Sequence, residues 1–353
     1  MSSSAPTHDE KVEAAIRNWA PRFTSQGVDP NDFARVTDPL ESWDEWLDAW
    51  VANGDRHAEL AREAESHRRT LTAGEAWVQA ALSYHFAKFV WVLDIDKHWA
   101  ASDRATDAIY QAHRLLDPTA RRIEVPYEGA TLYGNLRRPA EGERSPLVFL
   151  LPGLDSTKEE FFWWEDVFLR RGLATFSFDG PGQGESGRET HIEPAYERAT
   201  TAALDEIAWE GPVGLAGVSL GGYYAPRALS GDERFLAGVS VSGAFCFGEV
   251  WDGRPSLTKE TFQHHSGAAD PDEARAKAFE LDLAGVAEKI RQPLLVVTGK
   301  NDRLVLWTES KKIAEAAPNA EWVLFEEGNH VCNNIPYKYR PLAADWLKER
   351  LAP

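Results

Sequence analysis

The stretch "GPVGLAGVSLGG", residues 211–222, decides how this chain is read. Its first half is an apolar run of strand length. Its second half holds Ser219 among three glycines, and "YYAPRALS", of helical character, follows. Gly217-Val218-Ser219-Leu220-Gly221 fits G-x-S-x-G, in which a serine sits on a sharp strand-to-helix turn. The glycines have a steric reason: a Cβ at either flanking position collides with neighbouring backbone. The pentapeptide alone also fits an ordinary Gly-rich bend with a bystander serine. Its meaning therefore rests on what surrounds it.

Working outward, the same kind of apolar run recurs. "RRIEVPYEGATLYGNLRRP" alternates like a hairpin of half-buried strands with Glu128-Gly129 at the turn. After it come "PLVFLLPG", "LATFSFDG", "VGLAGVSL", "LAGVSVSG", "PLLVVTGK" and "WVLFEEGN", separated by helical segments. Continuous runs rich in Val, Leu and Phe are strands buried on both faces. Alternation with helices makes them βα units, hence an α/β fold with a mostly parallel sheet flanked by helices. Residues 246–290, beginning "CFGEVWDGRPSLTKETFQHH", are too long for a simple crossover and read as a short helical cap insertion.

Upstream of Ile123 the period is helical. Tryptophans at 43, 46 and 50 fall on one helix face. "TAGEAWVQAALSYHFAKFVWVLD" opens with Thr72 and Glu75 as a capping box, and is apolar almost all round, which predicts a helix buried on most sides. "ASDRATDAIYQAHRLL" is a further helix, ending before Pro118. The expected organisation is an N-terminal helical domain over 1–120 and an α/β domain over 121–353 carrying the insertion at 246–290.

Composition narrows the function classes. The chain has 353 residues, 43% of them hydrophobic, with 14 Trp and 16 Phe, enough for a large core. The net charge of −18 repels phosphate backbones, so nucleic acid and anionic membranes are excluded as partners. No apolar window approaches the ~18 residues of a membrane span, and the start lacks a signal-peptide stretch. Cys246 and Cys332 are too few for a disulfide framework, show no metal-type spacing and suit a cytoplasmic location. The partner expected is a small-molecule substrate, with no metal and no cofactor, and a homodimer is the assembly to test.

Two later strands complete a chemical pattern around Ser219. A serine hydroxyl is a poor nucleophile until a base takes its proton. "PLLVVTGK" leads into "NDRLV", which places Asp302 at a strand's C-terminal end. "WVLFEEGN" leads into "HVCNN", which places His330 at the next. In the order Ser219, Asp302, His330, the histidine accepts the serine proton and the aspartate fixes its tautomer. A tetrahedral oxyanion needs two N–H donors. Leu220, after the serine, is one, and Leu154 in "PGLDSTKEE" is the other, with Asp155 as alternate. Ser156 and Glu159 read as a second capping box there. "FDGPGQGES", 178–186, lacks the Lys-Ser/Thr pair of a phosphate loop and reads as a structural turn beside the site. His85 and Lys88 stand out in an apolar helix. They border a pocket, or are a satisfied interior histidine and a snorkelling lysine.

"TAGEA", "YHFAKFVWV", "PGLDSTKEE", "FDGPGQGES" and "GVSLGG" together resemble the α/β-hydrolase family of 2,6-dihydroxypseudooxynicotine hydrolase and the fungal polyketide-shortening hydrolases, over residues 15 to 350. The resemblance implies the α/β-hydrolase fold and cleavage of a C–C bond next to a ketone in an aromatic or polyketide-like substrate. It also implies an extra glutamate after the strand that follows the serine turn. Here Glu249 in "SGAFCFGEVWD" stands at that position, with Asp252 competing and a solvated cap residue as the alternative reading. Ester or thioester hydrolysis, acyl transfer or cyclisation use the same triad. A non-catalytic binding protein of this fold is the remaining alternative.

Overall fold

The computed structural model describes residues 8–139 and 145–352; residues 1–7, which include the opening serines, 140–144 and 353 lie outside it. The chain divides into two units. One takes in the chain up to Pro118 together with Glu159–Trp163, and the other takes in Thr119–Lys158 and the chain from Trp164 onward.

The first unit is helical: α1 (Glu10–Ser25), α2 (Pro30–Thr37), α3 (Trp46–Ser66), α4 (Thr70–Ala87) and α5 (Ile95–Leu116). Asp9, Asp29 and Asp94 cap α1, α2 and α5 by accepting from first-turn N–H groups, as short acceptor side chains do. Trp43 lies in a 3₁₀ turn, Trp43–Glu45, rather than on α3. Trp46 and Trp50 are fully buried and gather with Phe23 and Phe86, and the Trp46 Nε1–H donates to Phe86 O at 2.9 Å. The predicted burial of α4 on most sides holds: every residue from Ala80 to Ala87 is buried. The Thr72–Glu75 capping box does not form. The helix starts two residues earlier at Thr70, and both side chains are exposed on its first turns. Nor does α4 run on through "FVWV": it ends at Ala87, and Val90 takes a positive φ of 43°.

The second unit is built on one sheet of order β1-β2-β4-β3-β5-β6-β7-β8. Its strands are β1 (Arg121–Tyr127), β2 (Ala130–Arg137), β3 (Leu147–Leu151), β4 (Ala174–Asp179), β5 (Val213–Val218), β6 (Phe235–Val241), β7 (Leu294–Gly299) and β8 (Ala320–Phe325). β1 and β2 form the predicted hairpin. Glu128 and Gly129 both have positive φ, 49° and 88°, the backbone of a primed turn. β3 to β8 are mutually parallel. With helices α6 (Phe162–Leu169), α7 (Glu197–Ile207), α8 (Leu220–Gly231), α11 (Trp307–Ala316) and α12 (Pro336–Arg350) between and after the strands, this is an α/β-hydrolase fold. Between β6 and β7 lie a 3₁₀ turn (Phe247–Val250), α9 (Ser256–His265), α10 (Pro271–Glu280) and a second 3₁₀ turn (Ala287–Lys289). Among the described residues no helix is long and apolar enough to cross a membrane, and no group of three or more His, Cys, Asp or Glu is arranged to hold a metal ion.

Candidate active site

Ser219 stands between β5 and α8 with φ 57° and ψ −116°, a strained backbone that marks functional turns. Its glycines leave room for crossing backbone. A Cβ at Gly217 would overlap the Gly221 carbonyl, and one at Gly221 would overlap that of Leu151. The turn is pinned by Ser219 N–H donating to Val241 O at 2.9 Å and Ser240 Oγ–H donating to Gly222 O at 2.6 Å.

The ends of β7 and β8 bring two side chains to this turn. Asp302 is buried, and its Oδ1 accepts from the N–H groups of Leu304 and Val305, each at 2.9 Å. His330 Nδ1 lies 2.8 Å from Asp302 Oδ2, and its Nε2 lies 2.9 Å from Ser219 Oγ. His330 opens a 3₁₀ turn, His330–Cys332, in which Val331 and Cys332 have φ of 56° and 52°. Ser242 holds that turn. It follows β6 with its own positive φ of 52°, donates its N–H to Val297 O at 2.8 Å and accepts the Val331 N–H on Oγ at 3.0 Å. Sequence reading passed over Ser242, although its place after a buried strand in "SVSG" parallels that of Ser219. Burial pushes the Cys332 thiol up to about 12, so it packs as a small apolar group.

Leu154 and Leu220 present backbone N–H groups that no acceptor among the described residues takes. The loop carrying Leu154 passes close behind the serine: a Cβ on Gly153 would stand 3.1 Å from Ser219 Cβ. Gln183, from the Gly-rich turn after β4, braces it by donating Nε2–H to Pro152 O at 2.8 Å and Gly153 O at 2.9 Å. A 3₁₀ turn, Lys158–Phe161, precedes α6, and Glu159 accepts the Thr106 Oγ1–H at 3.2 Å within the helical unit.

The other sequence candidates are placed as follows. Glu249 is exposed on the Phe247–Val250 turn, and its carboxylate has no hydrogen-bond partner among the described residues. Asp252 is a surface residue, 3.4 Å from Arg275. His85 and Lys88 belong to the helical unit. His85 is fully buried with Nε2 3.1 Å from Glu160 Oε2, and Arg22 gives Glu160 two hydrogen bonds at 2.7 and 2.6 Å. Burial pushes the His85 imidazole below its ordinary range, against the pull of Glu160. Lys88, also buried, follows the last turn of α4.

The comparisons with known proteins agree with the fold. The family described as esterase FrsA-like matches residues 26–250, and the prolyl oligopeptidase family matches residues 160–352. The 2,6-dihydropseudooxynicotine hydrolase of Paenarthrobacter nicotinovorans is 31% identical, covering 98% of this chain and 95% of its own. Hydrolase LUC6 of Fusarium sp is 34% identical over 56% of this chain and 52% of its own, so the chain spans about half the length of that relative. The crystal structure of the 2,6-dihydroxy-pseudo-oxynicotine hydrolase superposes with a TM-score of 0.86 at 31% identity, over 95% of this chain and 96% of that one. Similarity to one named hydrolase over nearly the full length, and to another over 56% of it, makes this chain a hydrolase rather than a binding protein of the same fold. It belongs to the FrsA-like esterase family of the α/β hydrolases.

Proposed function

We propose that the protein hydrolyses a C–C bond next to a ketone in an aromatic or polyketide-like small molecule, with Ser219 as nucleophile, His330 as proton carrier and Asp302 as its orienting partner. The observation that carries the serine chemistry is the line of hydrogen bonds from Asp302 through both ring nitrogens of His330 to Ser219 Oγ, at 2.8 and 2.9 Å, and the choice of a C–C bond follows the resemblance. An ionised Asp302 accepts from Nδ1–H, which leaves Nε2 to take the serine proton. As it does so, Oγ bonds to the ketone carbon and the carbonyl electron pair moves onto oxygen. The N–H groups of Leu154 and Leu220 receive that charge, each worth about 100- to 1000-fold in rate. Collapse re-forms the carbonyl and breaks the C–C bond. The departing carbon keeps the electron pair and takes a proton, and the resemblance assigns its donation to Glu249. His330 passes the serine proton on to the Glu249 carboxylate through water; neutral again, it takes a proton from the water that attacks the acyl carbon and returns it to Ser219 Oγ as the acid is released. Side chains and water suffice for this sequence, without a cofactor.

The esterase description of the matching family favours a second reading, ester or thioester hydrolysis. It shares every step except the departure of an alkoxide or thiolate instead of a carbon. A fluorophosphonate probe is expected to attach to Ser219, and the purified protein to be active in a screen of acyl-phenols, β-diketones and aryl esters with products identified by mass. Glu249→Gln then separates the readings. It should cripple ketone cleavage and spare activated aryl esters, whereas equal effects on both, or none on ketones, remove Glu249 from the reaction.

A further inference from the structure

Arg254 lies in the insertion between β6 and β7, in the turn before α9, and is only 6% exposed. One face of its guanidinium rests on Phe247, with its central carbon 3.8 Å from the ring centroid. Its Nε and Nη2 are buried and meet no acceptor among the described residues. One turn on, the Thr258 hydroxyl, in the first turn of α9, is also buried and meets no partner among the described residues. Asp302 lies within electrostatic reach, but its oxygens are already engaged by His330 and the N–H groups of Leu304 and Val305. Burial pushes Arg254 down to about 9, with Asp302 opposing, so it stays cationic at neutral pH.

A buried cation with bare N–H groups is costly unless something meets it. Nε and Nη2 share one edge of the guanidinium, the edge that meets both oxygens of a carboxylate. A hydroxyl and the first turn of a helix, both favourable to an anion, stand four residues along the chain. We propose that Arg254, assisted by Thr258, receives a carboxylate carried by the substrate, so that the molecule cleaved is an acid rather than a neutral ketone or ester. This rests on the reading of Ser219 and His330 as the reacting pair, since Asp302 is the group that ties Arg254 to that site.

The test is calorimetric binding of 4-phenylbutyrate and its neutral amide, 4-phenylbutanamide, to the full chain. The wild type is expected to bind the carboxylate about 10- to 100-fold more tightly than the amide. Arg254→Gln should abolish that preference. Arg254→Lys, which keeps the charge and loses the two-pronged edge, should keep only part of it. No preference in the wild type, an intact preference in Arg254→Gln, or an undiminished one in Arg254→Lys overturns the proposal; if the glutamine variant does not fold, the lysine variant decides. Fluorophosphonate labelling of Ser219 on the same samples tests the reaction separately. Preference without labelling defeats the serine reading alone, and labelling without preference defeats the carboxylate site alone.

Discussion

In the helical unit, Arg22, His85 and Glu160 are buried on one another. Arg22 spends two of its N–H groups on Glu160, and His85 closes the other side at 3.1 Å. In the hydrolase unit, Arg254 is buried as deeply with two nitrogens unmatched, and the line from Asp302 through His330 ends on a serine hydroxyl held in a strained turn. Both arrangements take charge out of water, which is costly. In the first, the charges answer one another and the result is structure. In the second, they are left for something that arrives from outside. A closed set of buried charges marks where a chain is held together, and an open set marks where it works.

Variants at the open and closed sets test that contrast, beginning with the largest effect. Ser219→Ala should lower turnover by at least about 10⁴-fold while the thermal midpoint moves by less than about 3 °C. A variant that keeps its activity, or that loses its fold along with it, would break the contrast from the open side. Glu160→Gln should do the reverse. It leaves Arg22 buried without its anion, at a cost of about 3–5 kcal/mol, read as a lower midpoint in calorimetry. Its pH dependence has a definite sign. Burial alone would raise the Glu160 carboxyl, but Arg22 and His85 outweigh it and hold the group well below its ordinary 4.5. The stability it contributes is therefore fully present above about pH 4.5 and lost as pH falls toward the folded value. His85, depressed below 6.5 by burial, adds an acid loss that begins higher, below about pH 6.5. The wild type should thus lose its advantage over Glu160→Gln on acidification, and a gap that stays constant from pH 7 down to about 3 contradicts the assignment. The smallest effect is at Ser242. Removing its hydroxyl takes one hydrogen bond from the turn that carries His330, worth about 1 kcal/mol. Ser242→Ala should lower kcat about 10-fold with KM unchanged, and an unaltered kcat would reduce Ser242 to a packing residue.

What sequence reading captured was local. The parallel strands announced themselves as short apolar runs, and the G-x-S-x-G turn needs its glycines for backbone reasons confined to a few residues. What it missed depends on neighbours distant in the chain. Thr72–Glu75 satisfies the spacing of a capping box, yet α4 starts upstream of that pair. Arg254 looks like any cap arginine until the absence of an acceptor for Nε and Nη2 among the described residues is seen in three dimensions. Ser242 acts through Val331, 89 positions away. His85 shows the limit from the other side: its oddness in an apolar helix is plain in the sequence, but its approach to Glu160, 75 positions away, is not.

The membership of Glu159–Trp163 in the helical unit has a consequence for biosynthesis. Residues up to Pro118 leave the ribosome before Glu159–Trp163, and a domain of that length would ordinarily begin to close at once. Arg22 and His85 must wait for Glu160, which is made only after the β1–β2 hairpin and β3. Until then the nascent helices lack the carboxylate that Arg22 and His85 share. A fragment cut at residue 118 would lack it permanently, so a unit made mostly early can be finished only late.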